Sequence, residues 1–299
     1  MMLDFQAVGV ALTASLMSGH LDAVPCVPRI SAMTPSAAAI VGYTGFVGSN
    51  LLAHPSRTLR YESLFNSKNV ADLGDRSYEA VVCSAVPAIK WLANKNPSED
   101  WAQISGLLAQ LRNLRTDRFI LISTVDVYPD PAGRNDEGYD FKAYADHAYG
   151  RHRRMVEEWV IENFPSAHTI IRLPALFGEG LKKNALYDLM TKNMLEKINS
   201  DSAYQWYSLG SLADDLDTIV EVGVSQINLV TPPIQMRKIQ ERFFPADQIG
   251  GSYSVPATYD VRTAYADVFG HPGGGYIADE ETTLRHMEGF LAARCGTAG

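Results

Sequence analysis

The sequence predicts an α/β fold, a doubly wound parallel sheet with a small C-terminal lobe. Three observations carry that expectation. From residue 37 onward, short continuous apolar runs alternate with longer amphipathic ones. A glycine-punctuated turn follows the first apolar run and opens a helix. After Pro174 the alternation breaks into scattered glycines, aromatics and charges. Apolar strands that run continuously are those covered by helices on both faces. Right-handed crossovers between them give a doubly wound sheet.

Residues 37–41 (AAAIV) read as the first strand and 46–53 as the helix after the turn. Residues 61–65 form a weaker second strand, 80–85 (AVVCSA) a third, 119–123 (FILIS) a fourth and 168–173 (HTIIRL) a fifth. Between them, 99–114 spaces Trp101, Ile104, Leu107, Leu108 and Leu111 at helical intervals. The stretch 144–164 does the same with Met155, Val156, Trp159 and Val160. Beyond residue 175 one strand is expected at 226–230, before Pro232 and Pro233, then a short helix, a glycine-rich loop at 271–275 and an amphipathic helix over 280–293. The organisation expected is a poorly ordered extension (1–34), a Rossmann core (35–175) and a mixed region (176–299) that completes the sheet and forms a substrate lobe.

The chain has 299 residues, 46% hydrophobic and 20% charged, enough for one large core or a core with a lobe. Its net charge of -8 comes without any basic run, which argues against the cationic stripe that nucleic acid requires. Cys26, Cys83 and Cys295 lie far apart, so neither a metal centre nor a disulfide framework is expected, and a cytoplasmic setting fits. No apolar run is long enough for a membrane span. Residues 5–17 are apolar, but no basic residue precedes them and Asp4 does, unlike a secretory signal.

The turn Gly42-Tyr43-Thr44-Gly45-Phe46-Val47-Gly48 has the glycine spacing of a phosphate cradle. The first glycine turns the chain out of its strand, the second lets a pyrophosphate approach the backbone, and the third lets the helix lie close to the sheet. Gly42, Thr44, Gly45, Phe46, Val47 and Gly48 are therefore candidate cofactor contacts. At the end of the second strand, where a carboxylate would bind an adenosine ribose, stand Asn66, Ser67 and Lys68. Neutral and cationic groups accommodate a 2′-phosphate, so the reading leans to NADP over NAD.

Three further motifs follow in order: Ser123-Thr124-Val125-Asp126-Val127-Tyr128 at the end of the fourth strand, Tyr149-Gly150-Arg151-His152-Arg153 in the next helix, and Arg172-Leu173-Pro174-Ala175-Leu176-Phe177-Gly178 after the fifth strand. With the glycine turn, they resemble the extended short-chain dehydrogenase/reductase superfamily, in its branch of nucleotide-sugar epimerases and dehydratases, over residues 37 to 230. The resemblance implies an enzyme that moves a hydride between a sugar-like secondary alcohol or carbonyl and NAD(P). Thr124 would bond the reacting oxygen and Tyr149 would exchange its proton. In that superfamily a Lys four residues after the Tyr binds the nicotinamide ribose and lowers the Tyr pKa.

Here that position is Arg153. It keeps a positive charge but cannot give up a proton at working pH. Either Arg153 serves electrostatically, or the protein is a weak enzyme or cofactor-holding regulator, or another cation, Lys142 or Lys90, takes the role. The resemblance also sets Ala85, Val86 and Pro87 beside the cofactor, with Ser123, Pro174 and Leu176. Lys90, Asn184 and Tyr207 become candidate substrate contacts. Asp126 reads as an exposed turn residue and His152 as a surface histidine. A dehydratase is disfavoured, because Val125-Asp126 replaces the Asp-Glu pair that usually follows the Thr. The partner expected is a small sugar-like or nucleotide-sugar molecule. Relatives often dimerise through the helices that here span 97–114 and 144–164, so a homodimer is compatible with the resemblance.

Overall fold

A computed structural model describes residues 35–250 and 255–295, so the expected N-terminal extension and Cys26 lie outside the described residues. The chain runs through β1 (Ser36–Val41), α1 (Phe46–Ala53), β2 (Leu59–Phe65), β3 (Ser77–Cys83), α2 (Lys90–Lys95), α3 (Pro97–Leu111), β4 (Arg115–Thr124), α4 (Ala148–Asn163) and β5 (His168–Leu173). Then come β6 (Ala175–Phe177), α5 (Ala185–Thr191), β7 (Ala203–Tyr204), β8 (Trp206–Ser208), α6 (Leu212–Val222), β9 (Gln226–Asn228), β10 (Ile234–Gln235), α7 (Met236–Phe243) and α8 (Glu280–Cys295).

Six strands form one parallel sheet in the order β2-β1-β3-β4-β5-β9, the expected Rossmann-like α/β architecture. Each strand sends alternate residues to opposite faces. Ala38 and Ile40 of β1 pack with Leu51 of α1 and with Leu212, Leu216 and Ile219 of α6. Ala39 and Val41 pack on the other face with Ile104, Leu108 and Leu111 of α3 and Val156 and Val160 of α4. The order reverses at β1, whose neighbours are β2 and β3. The crevice above their carboxyl ends is the place where such sheets take ligands.

Short elements that the alternation left unmarked gather in the lobe with the expected C-terminal helix, α8. There Leu186 and Leu189 of α5, Trp206 of β8, Ile234 of β10, Ile239 of α7 and Leu284 and Met287 of α8 share a small core. Two pairs, β6 with β8 (parallel) and β7 with β10 (antiparallel), hold its edges. α4 begins at Ala148 rather than 144, because the His147 ring accepts the N–H of Gly150 and caps the helix.

α4 is tied to the sheet by a buried ionic knot. The Arg172 guanidinium donates to both oxygens of Glu157, at 2.9 and 2.8 Å, with both side chains fully enclosed. Ser123 and Arg154 add donors to the same carboxylate, and Tyr128 accepts from Arg172 at 3.0 Å. Removing one partner leaves a buried charge unpaired, which costs about 3–5 kcal/mol. Glu157→Ala is therefore expected to lose stability on that scale in denaturant unfolding. Glu157→Leu with Arg172→Met should recover much of it.

Candidate functional site

The glycine turn is set by close packing. Gly42 has φ +92°, and a Cβ there would lie 2.8 Å from the backbone nitrogen of Ala85. A Cβ on Gly48 would lie 2.3 Å from the Gly42 carbonyl oxygen. Gly45 is exposed, and its would-be Cβ comes no nearer than 3.2 Å to the Gly42 carbonyl oxygen. It is also the N-cap of α1 and offers no side chain to cap it, so the first-turn N–H groups of α1 have no side-chain acceptor from their cap. A helix start with uncapped donors, reached past an exposed glycine, fits the pyrophosphate of a dinucleotide.

Some of the other expected cofactor positions lie near this turn. Asn66 donates to the Tyr43 hydroxyl at 3.2 Å and accepts from the Lys68 N–H, tying the end of β2 to the turn. Ser67 and Lys68 are exposed beside it, as Thr44 is on the turn. Ala85, Val86 and Pro87 are half-buried just past β3. Phe46, Val47 and Leu176 each pack against the core on one face of the sheet, and Pro174 separates β5 from β6. Ser123 turns away from this group to donate to Glu157 at 2.6 Å.

The chemical groups meet at the end of β4. Tyr149, in the first turn of α4, is buried, with its phenol near the Thr124 hydroxyl. The Tyr149 N–H donates to Asn94 Oδ1 of α2 at 2.9 Å. Gly150 makes this approach feasible, since a Cβ there would come within 2.0 Å of the Asp126 carbonyl oxygen. Asp126 is no exposed turn residue. Its side chain points into the cleft, where the Lys90 ammonium lies 2.6 Å and the Tyr259 hydroxyl 2.8 Å from Oδ1. The cause is long-range: α2 and the segment around Tyr259 close over a residue that its neighbours alone leave exposed. Lys90 also donates to Tyr259 at 2.9 Å.

Arg153 has a counterion of its own. Its Nη1 and Nη2 donate to the two oxygens of Asp100 in α3, at 2.6 and 2.8 Å. Nη1 also reaches the Tyr149 carbonyl, and Nη2 the Pro87 carbonyl. The guanidinium carbon stands 4.1 Å from the centroid of the Tyr149 ring, stacked on its face. Only Nε is left without a partner, and it is buried. His152 is no surface histidine either. It is buried against Trp101, with Nδ1 2.8 Å from Asp100 Oδ2, because α3 covers that face of α4. Burial opposes the Asp100 charge, yet the hydrogen bonds from Arg153 and His152 hold its carboxyl below the usual range.

These surroundings raise the Tyr149 pKa to about 12. Burial is the largest cause and the Asp126 charge the next, while Arg153, Lys90 and the nearby Thr124 hydroxyl pull the other way. Lys183, from the run after β6, donates to the Ala88 carbonyl, and partial burial followed by the Arg153 charge lowers its pKa. Asn184 caps α5 and donates to the Leu176 carbonyl. Tyr207 is buried in the core and donates to Asp215 at 2.5 Å. Of the three expected substrate contacts, Lys90 is the one that joins Thr124 and Tyr149. Asp126 joins the site from within the Ser123–Tyr128 motif, and Tyr259, Asn94 and Asp100 join it from outside the motifs. Lys142 pairs at the surface with Asp140.

The fold and this cleft define a Rossmann-like protein with a Thr/Tyr pair at the carboxyl end of the sheet. The sequence profile of the NAD dependent epimerase/dehydratase family matches residues 38–215, and the chain belongs to that family. Among solved structures it is similar to the dTDP-4-dehydrorhamnose reductase of Bacillus anthracis in complex with NADP, with a TM-score of 0.68 at 12% identity, covering 88% of this chain and 100% of that one. It is similar to the UDP-glucose 4-epimerase of Thermotoga maritima with UDP-glucose, with a TM-score of 0.64 at 14% identity and the same coverage. The UDP-N-acetylglucosamine 4-epimerase of Methanobrevibacter ruminantium, in complex with UDP-N-acetylmuramic acid, gives 0.64 at 13% identity, covering 88% and 100%. No curated protein sequence matches the chain. Among the described residues, no helix is long and apolar enough to cross a membrane and no cluster of side chains suits a metal ion.

Gly150→Ala should force α4 away from Asp126 and cost about 1–3 kcal/mol or more, the scale of overpacking. Gly106→Ala, in α3 with nothing within 4 Å of its would-be Cβ, should instead gain about 0.5–1 kcal/mol. Thermal or denaturant unfolding of both variants checks the pair of outcomes.

Proposed function

We propose that this protein is an NAD(P)-dependent oxidoreductase or epimerase acting on a secondary alcohol or carbonyl of a sugar, a nucleotide sugar in particular. One observation carries the reading: the Tyr149 phenol and the Thr124 hydroxyl converge at the end of β4, in the sheet whose β1–α1 turn is shaped for a pyrophosphate. The solved structures similar in fold include proteins bound to NADP and to UDP-glucose, which supports a dinucleotide with a nucleotide-sugar partner.

In this reading Gly42, Thr44, Gly45, Phe46, Val47 and Gly48 receive the pyrophosphate through backbone N–H groups. Asn66, Ser67 and Lys68 meet the adenosine ribose, and the absence of a carboxylate among them favours NADP. Ala85, Val86, Pro87, Pro174 and Leu176 flank the nicotinamide, which supplies or accepts the hydride. Thr124 orients the reacting oxygen and Tyr149 exchanges its proton. Lys90 and Asp126 stand where a polar substituent of the sugar would arrive. Arg153 stacks on Tyr149 rather than holding a ribose hydroxyl, its terminal nitrogens being taken by Asp100 and two carbonyls.

That last observation also favours a second reading, a regulator that binds NAD(P) without turning it over. The two separate by mutation. An enzyme loses about 10²–10⁴ in kcat when Tyr149→Phe removes its proton donor, and it fails when Gly45→Val blocks the cradle. A regulator tolerates Tyr149→Phe and fails only with Gly45→Val. The assay incubates the purified protein with NADP or NAD and a panel of nucleotide sugars, following reduced-cofactor absorbance and product stereochemistry. Tight cofactor binding with no turnover of any of them counts against the enzyme.

A further inference from the structure

The groups that face Tyr149 come from every element around it. Arg153 comes from its own helix, whose start the His147 ring caps, and Asp126 with Thr124 from the end of β4. Lys90 comes from α2, the Tyr259 hydroxyl from the C-terminal segment, and Lys183 stands beyond Arg153. Behind Arg153, α3 contributes Asp100 with His152 on it. The cations nearest the phenol are thus each matched to a carboxylate. Arg153 is clamped to Asp100 at 2.6 and 2.8 Å, both side chains almost wholly buried. Lys90 lies 2.6 Å from Asp126. Each of these two cations thus has a carboxylate partner that weakens its pull toward a tyrosinate.

We propose that Asp100 is a positioning residue that cancels the charge of Arg153 and keeps Tyr149 a neutral proton donor, fitting the site to the reduction of a carbonyl sugar rather than to epimerisation at neutral pH. The inference rests on the enzymatic reading above. In the reduction a C–H bond forms at the carbonyl carbon with the hydride pair of the reduced nicotinamide, which is thereby oxidised. The carbonyl π bond breaks, its oxygen takes the Tyr149 proton, and solvent returns a proton to Tyr149. Alcohol oxidation, the opening half of an epimerase cycle, needs the tyrosinate first and so sets in at alkaline pH. The equilibrium constant is untouched: the two directions differ in pH dependence by the one proton that reduction consumes. Burial and the Asp126 charge act on Tyr149 in the same direction, raising its pKa.

The experiment titrates full-length, cofactor-free protein carrying ζ-¹³C tyrosine by NMR, with the Tyr149 resonance identified by its loss in Tyr149→Phe. In parallel, initial rates of carbonyl-sugar reduction and alcohol-sugar oxidation are measured across about pH 6–10. The expected result is a Tyr149 resonance that does not titrate below about pH 10, with reduction flat over that range and oxidation rising roughly tenfold per pH unit. In Asp100→Asn the titration should move down by at least about one unit, and oxidation at neutral pH should rise by roughly tenfold. Because that variant strands a buried guanidinium, Asp100→Asn with Arg153→Lys serves where the single variant does not fold, with the same expected shift. A wild-type Tyr149 that titrates near neutrality, or one that is unmoved by both folded variants, overturns the inference while turnover keeps the enzymatic reading. The expected titrations with no turnover of any sugar overturn the enzymatic reading, and the assignment of direction with it.

Discussion

The guanidinium of Arg153 lies between the ring of Tyr149 and the carboxylate of Asp100, and the cleft takes its electrostatic character from that pair. It also joins three elements. Arg153 belongs to α4, Asp100 to α3, and the Pro87 carbonyl that accepts from Nη2 to the loop after β3. A fork with both terminal nitrogens engaged is geometrically fixed in a way that a single ammonium is not. Burying such a pair is costly in desolvation unless its hydrogen bonds are nearly all made. Here the carboxylate also receives His152, and Nε is the one donor of the guanidinium left over.

α4 is anchored at both ends by comparable means. One turn past Arg153, Glu157 meets Arg172 of β5 in a second fully enclosed pair, with Ser123 of β4 on the same carboxylate. At the start of the helix, Gly150 lets the backbone lie against Asp126, and His147 caps the first turn. Tyr149 is therefore held by its helix rather than by contacts of its hydroxyl alone. Its reach toward Thr124 depends on a glycine that no side chain can replace.

Much of this was legible in the sequence. Continuous apolar strands alternating with amphipathic helices specify the sheet, and the first strand, the helix after it and the fifth strand are found within a residue of where the pattern sets them. The glycine spacing marks the turn because its steric demands are local. The lobe was legible as a region, but its strands were not, since β6, β7, β8 and β10 are two or three residues long and carry no period of their own. α6 was missed although Leu212, Leu216 and Ile219 are spaced as a helix, because three aspartates interrupt the run. In the site, Thr124 and Tyr149 stand in motifs. Asp126 and His152 were misjudged as exposed because α2, α3 and the segment around Tyr259 cover them from far along the chain. Asp100 and Tyr259 had no local signal at all. What Arg153 does is decided by a partner 53 residues away, a distance over which spacing arguments say nothing.

The most direct test of this account is a crystal structure of the full chain with bound NADP, or NAD if that binds better, read at one side chain. The account predicts that the Arg153 fork stays on both oxygens of Asp100, stacked on Tyr149, with the nicotinamide ribose held by other groups. A guanidinium turned out to the ribose hydroxyls, with Asp100 left to His152 alone, would contradict it.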